Sequence, residues 1–186
     1  MTQSRVKRHP ERGRYDRETI DAILDDGFLC HLGFVVEGQP YVIPTLHARV
    51  GDVLYLHGSP ASRMLKELGS GEPVCVTVTH LDGVVLAKSV FNHSVNYRSV
   101  VVLGTPRAVT GDEKVAALEA IVEHIAPGRW TEARQPSEKE LRTTEGVAIS
   151  LDEASAKVRS GPPIESPQDE ELDVPSGVIP IRLVRG

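Results

Sequence analysis

"LYLHGSPASRML", residues 54–65, joins two patterns that a single element cannot carry. Its first residues alternate as a strand does, and from Pro60 onward the spacing suits a helix. The joint is His57-Gly58-Ser59-Pro60. Ser59 is a natural N-cap, and Pro60 suits the first helical position because its missing amide hydrogen would be unpaired there. The next backbone N–H groups, near Ser62 and Arg63, then point outward with a partial positive field. Arg63 adds a planar donor fork and Lys66 lies about one turn further on. Such a turn suits a phosphate monoester. The plain alternative is a capped helix with solvated cations.

Working outward, Asp16 can cap a short helix with Ile20, Ile23 and Leu24 on one face, and Gly27 suits its end. Strands follow at 28–36 and 41–50, parted by a turn at Glu37-Gly38-Gln39-Pro40, and a third strand spans 53–56. Pro44 interrupts the second strand, which marks an edge, a bulge or a place where a ligand meets the backbone. A helix is expected over 61–68. Strands at 74–80 and 84–89 flank Asp82-Gly83, a two-residue hairpin signal. The looser "FNHSVN" leads to a long strand, 97–109. Asp112 is then expected to cap a helix with Val115, Leu118, Ile121, Val122 and Ile125 on one side, before a short helix near 137–141 and a strand at 144–151.

Hairpin-linked strands with three helical insertions imply a mainly β fold with an antiparallel sheet, a barrel being compatible with the strand number. At 186 residues the chain suits one well-buried domain. Its expected parts are a flexible basic arm (1–13), the barrel domain (14–163), and an acidic, Pro-rich segment with a terminal apolar piece packing on the barrel (164–186).

The formal charge of −5 and the supply of only one Trp, four Tyr and three Phe argue against a nucleic-acid binder. Six Lys/Arg against two acids in residues 1–17 leave open a binding module that uses the arm. No apolar run approaches a membrane span, and the polar N-terminus is no signal peptide. Cys30 and Cys75 lie inside expected strands as reduced packing residues, so the expected compartment is the cytoplasm. The seven histidines show no helical metal-ligand spacing, and no dinucleotide or P-loop motif is present, so no metal is expected.

"GQPYVIPT", "LYLHGSPASRML", "NYRSVVVLG" and "SAKVRSGPP" together resemble the flavin-nucleotide-binding branch of the pyridoxamine 5'-phosphate oxidase-like split-barrel proteins, close to the nitroimidazole-resistance proteins. The resemblance runs from about Asp16 to Pro163, and "SGVIPIRL" is similar to the branch's end. It implies a six-stranded antiparallel split β-barrel homodimer, with FMN at the subunit interface and its phosphate at the helix after the third strand. Val42, Ile43, Pro44, Thr45, Leu46 and His47 match the strand along the flavin ring. His57 and Gly58 match the residues before the phosphate turn, with Ser59 in the turn itself. Ser62, Arg63 and Met64 match a Ser-Arg-Lys phosphate grip, and Ser99 matches a polar residue before the long strand. Met64 stands where the oxidases carry a second cation, so Lys66 or the partner subunit would have to supply it.

The function expected on this basis is an FMN-dependent oxidoreductase acting on a small molecule, with FMN ahead of FAD, deazaflavin or haem. No catalytic side chain is assigned. A non-catalytic flavin or haem carrier on the same barrel is the alternative. The Arg/His-rich C-terminal segment with which the true oxidases hold pyridoxamine phosphate has no counterpart here. Flavin-loaded protein should therefore show little or no pyridoxamine phosphate oxidation; turnover on the order of 1 per second or faster would contradict this.

Overall fold

The computed structural model describes residues 3–184. Ten strands form one antiparallel sheet in the order β1-β9-β6-β5-β2-β3-β4-β8-β7, with β10 added to β5. They are β1 Gly13–Arg14, β2 Leu29–Val36, β3 Gln39–Val50, β4 Val53–Gly58, β5 Val74–Leu86, β6 Ser94–Gly104, β7 Arg107–Val109, β8 Glu145–Ser150, β9 Ala154–Arg159 and β10 Gly177–Pro180. The helices are α1 Arg17–Asp26, α2 Arg63–Leu68, α3 Gly111–Ile125, α4 Arg129–Glu132 and α5 Glu138–Arg142. The mainly β split barrel is thus as expected, but with ten strands instead of six, of which β1, β7 and β10 have four residues or fewer.

The expected alternation is clear in β2, where Cys30, Leu32 and Phe34 are buried and His31 and Val35 exposed. The same inward rows on β5 (Val74, Val76, Val78) and β6 (Val100, Val102) meet them in one core. Glu37 and Gly38, at φ 50° and 80°, make the two-residue turn between β2 and β3, so Gln39 and Pro40 already belong to the strand. At one end of the barrel, α1 inserts Ile20, Ile23 and Leu24, with Asp16 Oδ1 accepting from the Thr19 N–H at 2.8 Å. A smaller cluster of Val109, Ala117 and Ala148 packs α3 against β7 and β8.

Four local expectations are corrected. Asp82-Gly83 is no hairpin: β5 runs through it with a bulge between Leu81 and Gly83. Asp82 accepts from the Arg98 guanidinium at 2.9 Å, and Gly83 admits β10, because a Cβ there would lie 2.8 Å from Val178 Cγ1. The reversal falls instead at the 3₁₀ turn Val90–Asn92, and the strand expected over 97–109 divides into β6 and β7. Helix α3 starts at Gly111 after Thr110, so Asp112 sits in the first turn and does not cap it; within it Ala117 and Ile121 are the buried residues. Cys75 is only half-buried; Cys30 is fully buried, which pushes its thiol up to about 12.

The described part of the N-terminal arm contacts β9: Gly13 pairs with Lys157, and Ser155 Oγ donates to the Ser4 carbonyl at 2.6 Å. In the C-terminal segment, β10 pairs with β5 from Gly83 to Leu86. Among the described residues no helix is long and apolar enough to cross a membrane.

Three imidazoles hold the carboxyl end of α1. His80 Nε2 meets the Ile23 carbonyl at 2.9 Å, His47 Nε2 that of Leu24 at 3.1 Å, and His124 Nε2 that of Gly27 at 2.8 Å. A carbonyl only accepts, so each ring nitrogen donates, capping groups the helix leaves unpaired. His47 is fully buried, and that burial pulls its pKa down to about 4. The unfolded chain therefore takes the proton first, and stability falls as pH drops from about 6.5 toward 4. Over the full interval this amounts to about 3 kcal/mol. Urea unfolding from pH 7 to 4.5 should show this slope, and His47→Gln should flatten it; an unchanged slope would contradict the assignment.

Candidate functional site

The two halves of β3 have different partners. It pairs with β2 from Gln39 to Leu46, but with β4 only from His47 to Val50. Beyond the pair His47↔Leu56 the strands part, and β4 continues with β8 through His57↔Gly146 and Gly58↔Glu145. Residues 39–46 thus have one edge without a strand partner among the described residues.

The parity of that edge follows from one bond. The His47 N–H donates to the Phe28 carbonyl at 3.1 Å, toward β2. Backbone groups alternate along a strand, so those of Pro40, Val42, Pro44 and Leu46 point to the open edge. Two of the four are prolines, which have no N–H. Pro44 therefore sits where it breaks no ladder bond, and the edge offers carbonyls plus the N–H groups of Val42 and Leu46. Prolines also make the edge a poor template for strand addition. The open-edge meaning of Pro44, one of three it could have had, is the one the fold adopts.

After Gly58 the chain turns into α2, and here the cap is corrected. Ser62, not Ser59, is the N-cap, its Oγ accepting from Leu65 N at 3.2 Å, and the helix begins at Arg63, not Ala61. Ser59 and Pro60 form the preceding turn, in which Ser59 Oγ accepts from Ala61 N at 3.2 Å and the Ser59 carbonyl from Ser62 N at 2.9 Å. The N–H groups of Arg63 and Met64 are left as open donors of the first turn. Sequence reasoning missed this shift because Ser-Pro and Ser-Arg, three residues apart, both fit a helix start.

Met64, Leu65 and Leu68 are buried in the core, so Met64 cannot meet a phosphate. Gly58 lets α2 pack this closely, since a Cβ there would lie 2.6 Å from Leu65 Cδ2. Arg63 and Lys66 are exposed. The Arg63 guanidinium lies 4.5 Å from the centroid of Tyr41, which stacks on Phe34 at 5.7 Å. That cation–π contact joins the helix start to β3.

His57 lies on β4 just beyond the parting, and its side chain shares the face of Tyr55 and Ala148, against which α3 packs; it is half-buried, and its buried Nδ1 has no hydrogen-bond partner among the described residues. Burial lowers its pKa, so the ring is neutral near pH 7. His47 does not join this group, being committed to α1. Ile43 and Thr45 are half-buried with side chains on the core side of β3, so only their strand, not their backbone groups, borders the open edge.

Ser99 lies on β6, with β5 and β2 standing between it and β3, and its Oγ donates to the Lys157 carbonyl at 3.3 Å. It does share the outer face of the sheet with Val42 and Pro44. That face also carries Leu29, Val35 and Leu81, and Val42 is 67% exposed. It is a broad apolar surface for a chain of this size.

The residues match known proteins over most of their length. Among curated proteins none matches the sequence. Among solved structures, the flavocytochrome Anf3 from Azotobacter vinelandii is 40% identical, with all of this chain and 86% of that one covered, at a TM-score of 0.93. The FAD and heme binding protein from Mycobacterium smegmatis is 36% identical over 94% of this chain and 86% of that one, at 0.91. A Bacteroides thetaiotaomicron protein assigned to 5-nitroimidazole antibiotic resistance is 25% identical over 78% of this chain and 86% of that one, at 0.66. The family profile named pyridoxamine 5'-phosphate oxidase matches residues 16–158. The fold, the parted β3 edge and that match agree, and the chain belongs to the pyridoxamine 5'-phosphate oxidase family.

Proposed function

We propose that this chain is a homodimeric flavin-dependent oxidoreductase that also carries haem, acting on a small molecule or electron acceptor in the cytoplasm. One observation carries the flavin reading. The open edge of β3 begins where β3 parts from β4, and the Ser62-Arg63 helix start is linked to the same strand through Tyr41. A flat heteroaromatic ring with amide-like edges can use the backbone groups of Val42, Pro44 and Leu46. Ser62 and Arg63 would take its phosphate, with Ser59, Gly58 and Lys66 around the turn. The protein's part is binding and orientation; bound flavin and haem would supply the electron chemistry.

Two solved structures support the finer parts of the proposal. One is described as a flavocytochrome and the other as binding FAD and heme, at 40% and 36% identity. On that support FAD replaces the FMN expected from sequence as the preferred flavin. The outer face bearing Leu29, Val35, Val42 and Leu81 supports a homodimer, because burial of such a surface is favourable. Pairing there would also bring the partner's copy of this face, with its Ser99, toward the open edge. The free cysteines support a reducing compartment.

Arg63→Ala removes the guanidinium and keeps a good helix former. It should weaken FAD and FMN by about 1.5–3 kcal/mol while riboflavin, which lacks a phosphate, binds as to the parent. Flavin-fluorescence titration of apoprotein reads all three, and an unchanged ratio of FAD to riboflavin affinity would defeat the phosphate assignment. Met64→Lys should restore no affinity, since it places an ammonium in the core; it should lower unfolding stability by on the order of 2–4 kcal/mol. Tighter flavin binding with full stability would contradict the core placement.

A further inference from the structure

The histidines divide by what their ring nitrogens already do. His47, His80 and His124 each give Nε2 to a carbonyl of the α1 terminus. His57 is half-buried on the face of β4 that α3 covers, and His9 Nδ1 faces Glu11 Oε1 at 3.2 Å. His31 is exposed on the outer face of β2. His93 is different. Its Nδ1 lies 3.0 Å from the Ser89 carbonyl, which can only accept, so the proton sits on Nδ1 and the Nε2 lone pair has no partner among the described residues. An imidazole fixed in this way by a backbone carbonyl is a prepared metal ligand.

The surroundings of His93 are unusual for a hairpin end. Val90 and Phe91, in the 3₁₀ turn that precedes it, are each 91% exposed. The turn is nevertheless tied down. Ser89 Oγ accepts from Phe91 N at 3.3 Å, and the Ser89 carbonyl from Asn92 N at 3.1 Å. Glu165 Oε1 accepts from Lys88 N at 3.0 Å, and the Glu170 carbonyl from Lys88 Nζ at 2.5 Å. Thus two large apolar side chains and one nitrogen donor are held outward by a braced backbone. Apolar exposure of this extent disfavours the free protein unless something flat and apolar covers it.

We propose that His93 would hold a haem iron through Nε2, and that Phe91 and Val90 would form an apolar wall for the macrocycle. This rests on the haem-binding part of the function proposed above. A neutral nitrogen donor suits haem iron, and an aromatic beside it suits the porphyrin plane. His47, His80 and His124 could ligate through Nε2 only by giving up their carbonyls on α1, which would uncap that helix.

The test is haemin titration of the flavin-loaded protein, read by its Soret and visible bands, on the parent, His93→Gly, Phe91→Ala and His9→Asn. The parent should take up haem. His93→Gly should bind it at least ten-fold more weakly with shifted visible bands, and added imidazole should restore the parent bands by filling the vacated ligand place. Phe91→Ala should lose haem faster than the parent, His9→Asn should match the parent, and flavin affinity should stay unchanged in all, which reports an intact fold. If the parent binds haem and His93→Gly keeps the parent's affinity and bands, the ligand assignment falls while the haem reading stands. If the parent takes up no haem, both fall, and the flavin reading is judged separately by its own titration.

Discussion

The structure depends on the parting of β3 from β4 after the pair His47↔Leu56. A ladder continued by one more pair would set Leu46 against His57 and close the edge. The chain instead leaves β4 at Gly58 and commits Met64, Leu65 and Leu68 to the core through α2. Three buried apolar side chains outweigh the few ladder bonds forgone, since burial is worth roughly 1.5–3 kcal/mol for each large side chain and a net hydrogen bond about 1 kcal/mol. The absent side chain at Gly58 is what allows that approach. An open backbone edge and a helix start are therefore consequences of the same packing choice.

The parting point is also where the strand is braced. His47, the last residue of β3 before the opening, is buried and holds the Leu24 carbonyl, and its ring lies 5.6 Å from that of His124 on α3. The edge from Pro40 to Leu46 thus springs from a rigid base shared by α1 and α3. Rigid flanks and an unpaired edge between them suit a site that binds a flat ligand without rearranging. The prolines at 40 and 44 keep the edge from pairing with another strand, so it stays available to a ligand.

Much of this was legible in the residues. Alternation in β2 and β4, the Glu37-Gly38 turn and the Asp16 cap are local signals, and local physics decides them. Asp82-Gly83 misled because a bulge and a hairpin share the same turn residues; what decides is Arg98 on the next strand and β10 from far along the chain. Ser59 and Ser62 were locally equivalent caps, and the core's demand for Met64 chose between them. Of the proposed site, Arg63 and Pro44 carry a visible chemical signature. The role of Tyr41 beneath Arg63, the unpartnered nitrogen of His57 and the exposed pair Val90 and Phe91 exist only in three dimensions.

Residue-resolved amide hydrogen exchange, with and without bound flavin, tests the central claim most directly. If the flavin lies along the freed edge, the amides of Val42 and Leu46, which point away from β2, slow markedly on binding, as do those of Arg63 and Met64. The amides of Ile43 and Thr45, directed toward β2, change little. Stoichiometric flavin binding that leaves Val42 and Leu46 exchanging at their free rates would show that the parted edge of β3 is not the flavin site.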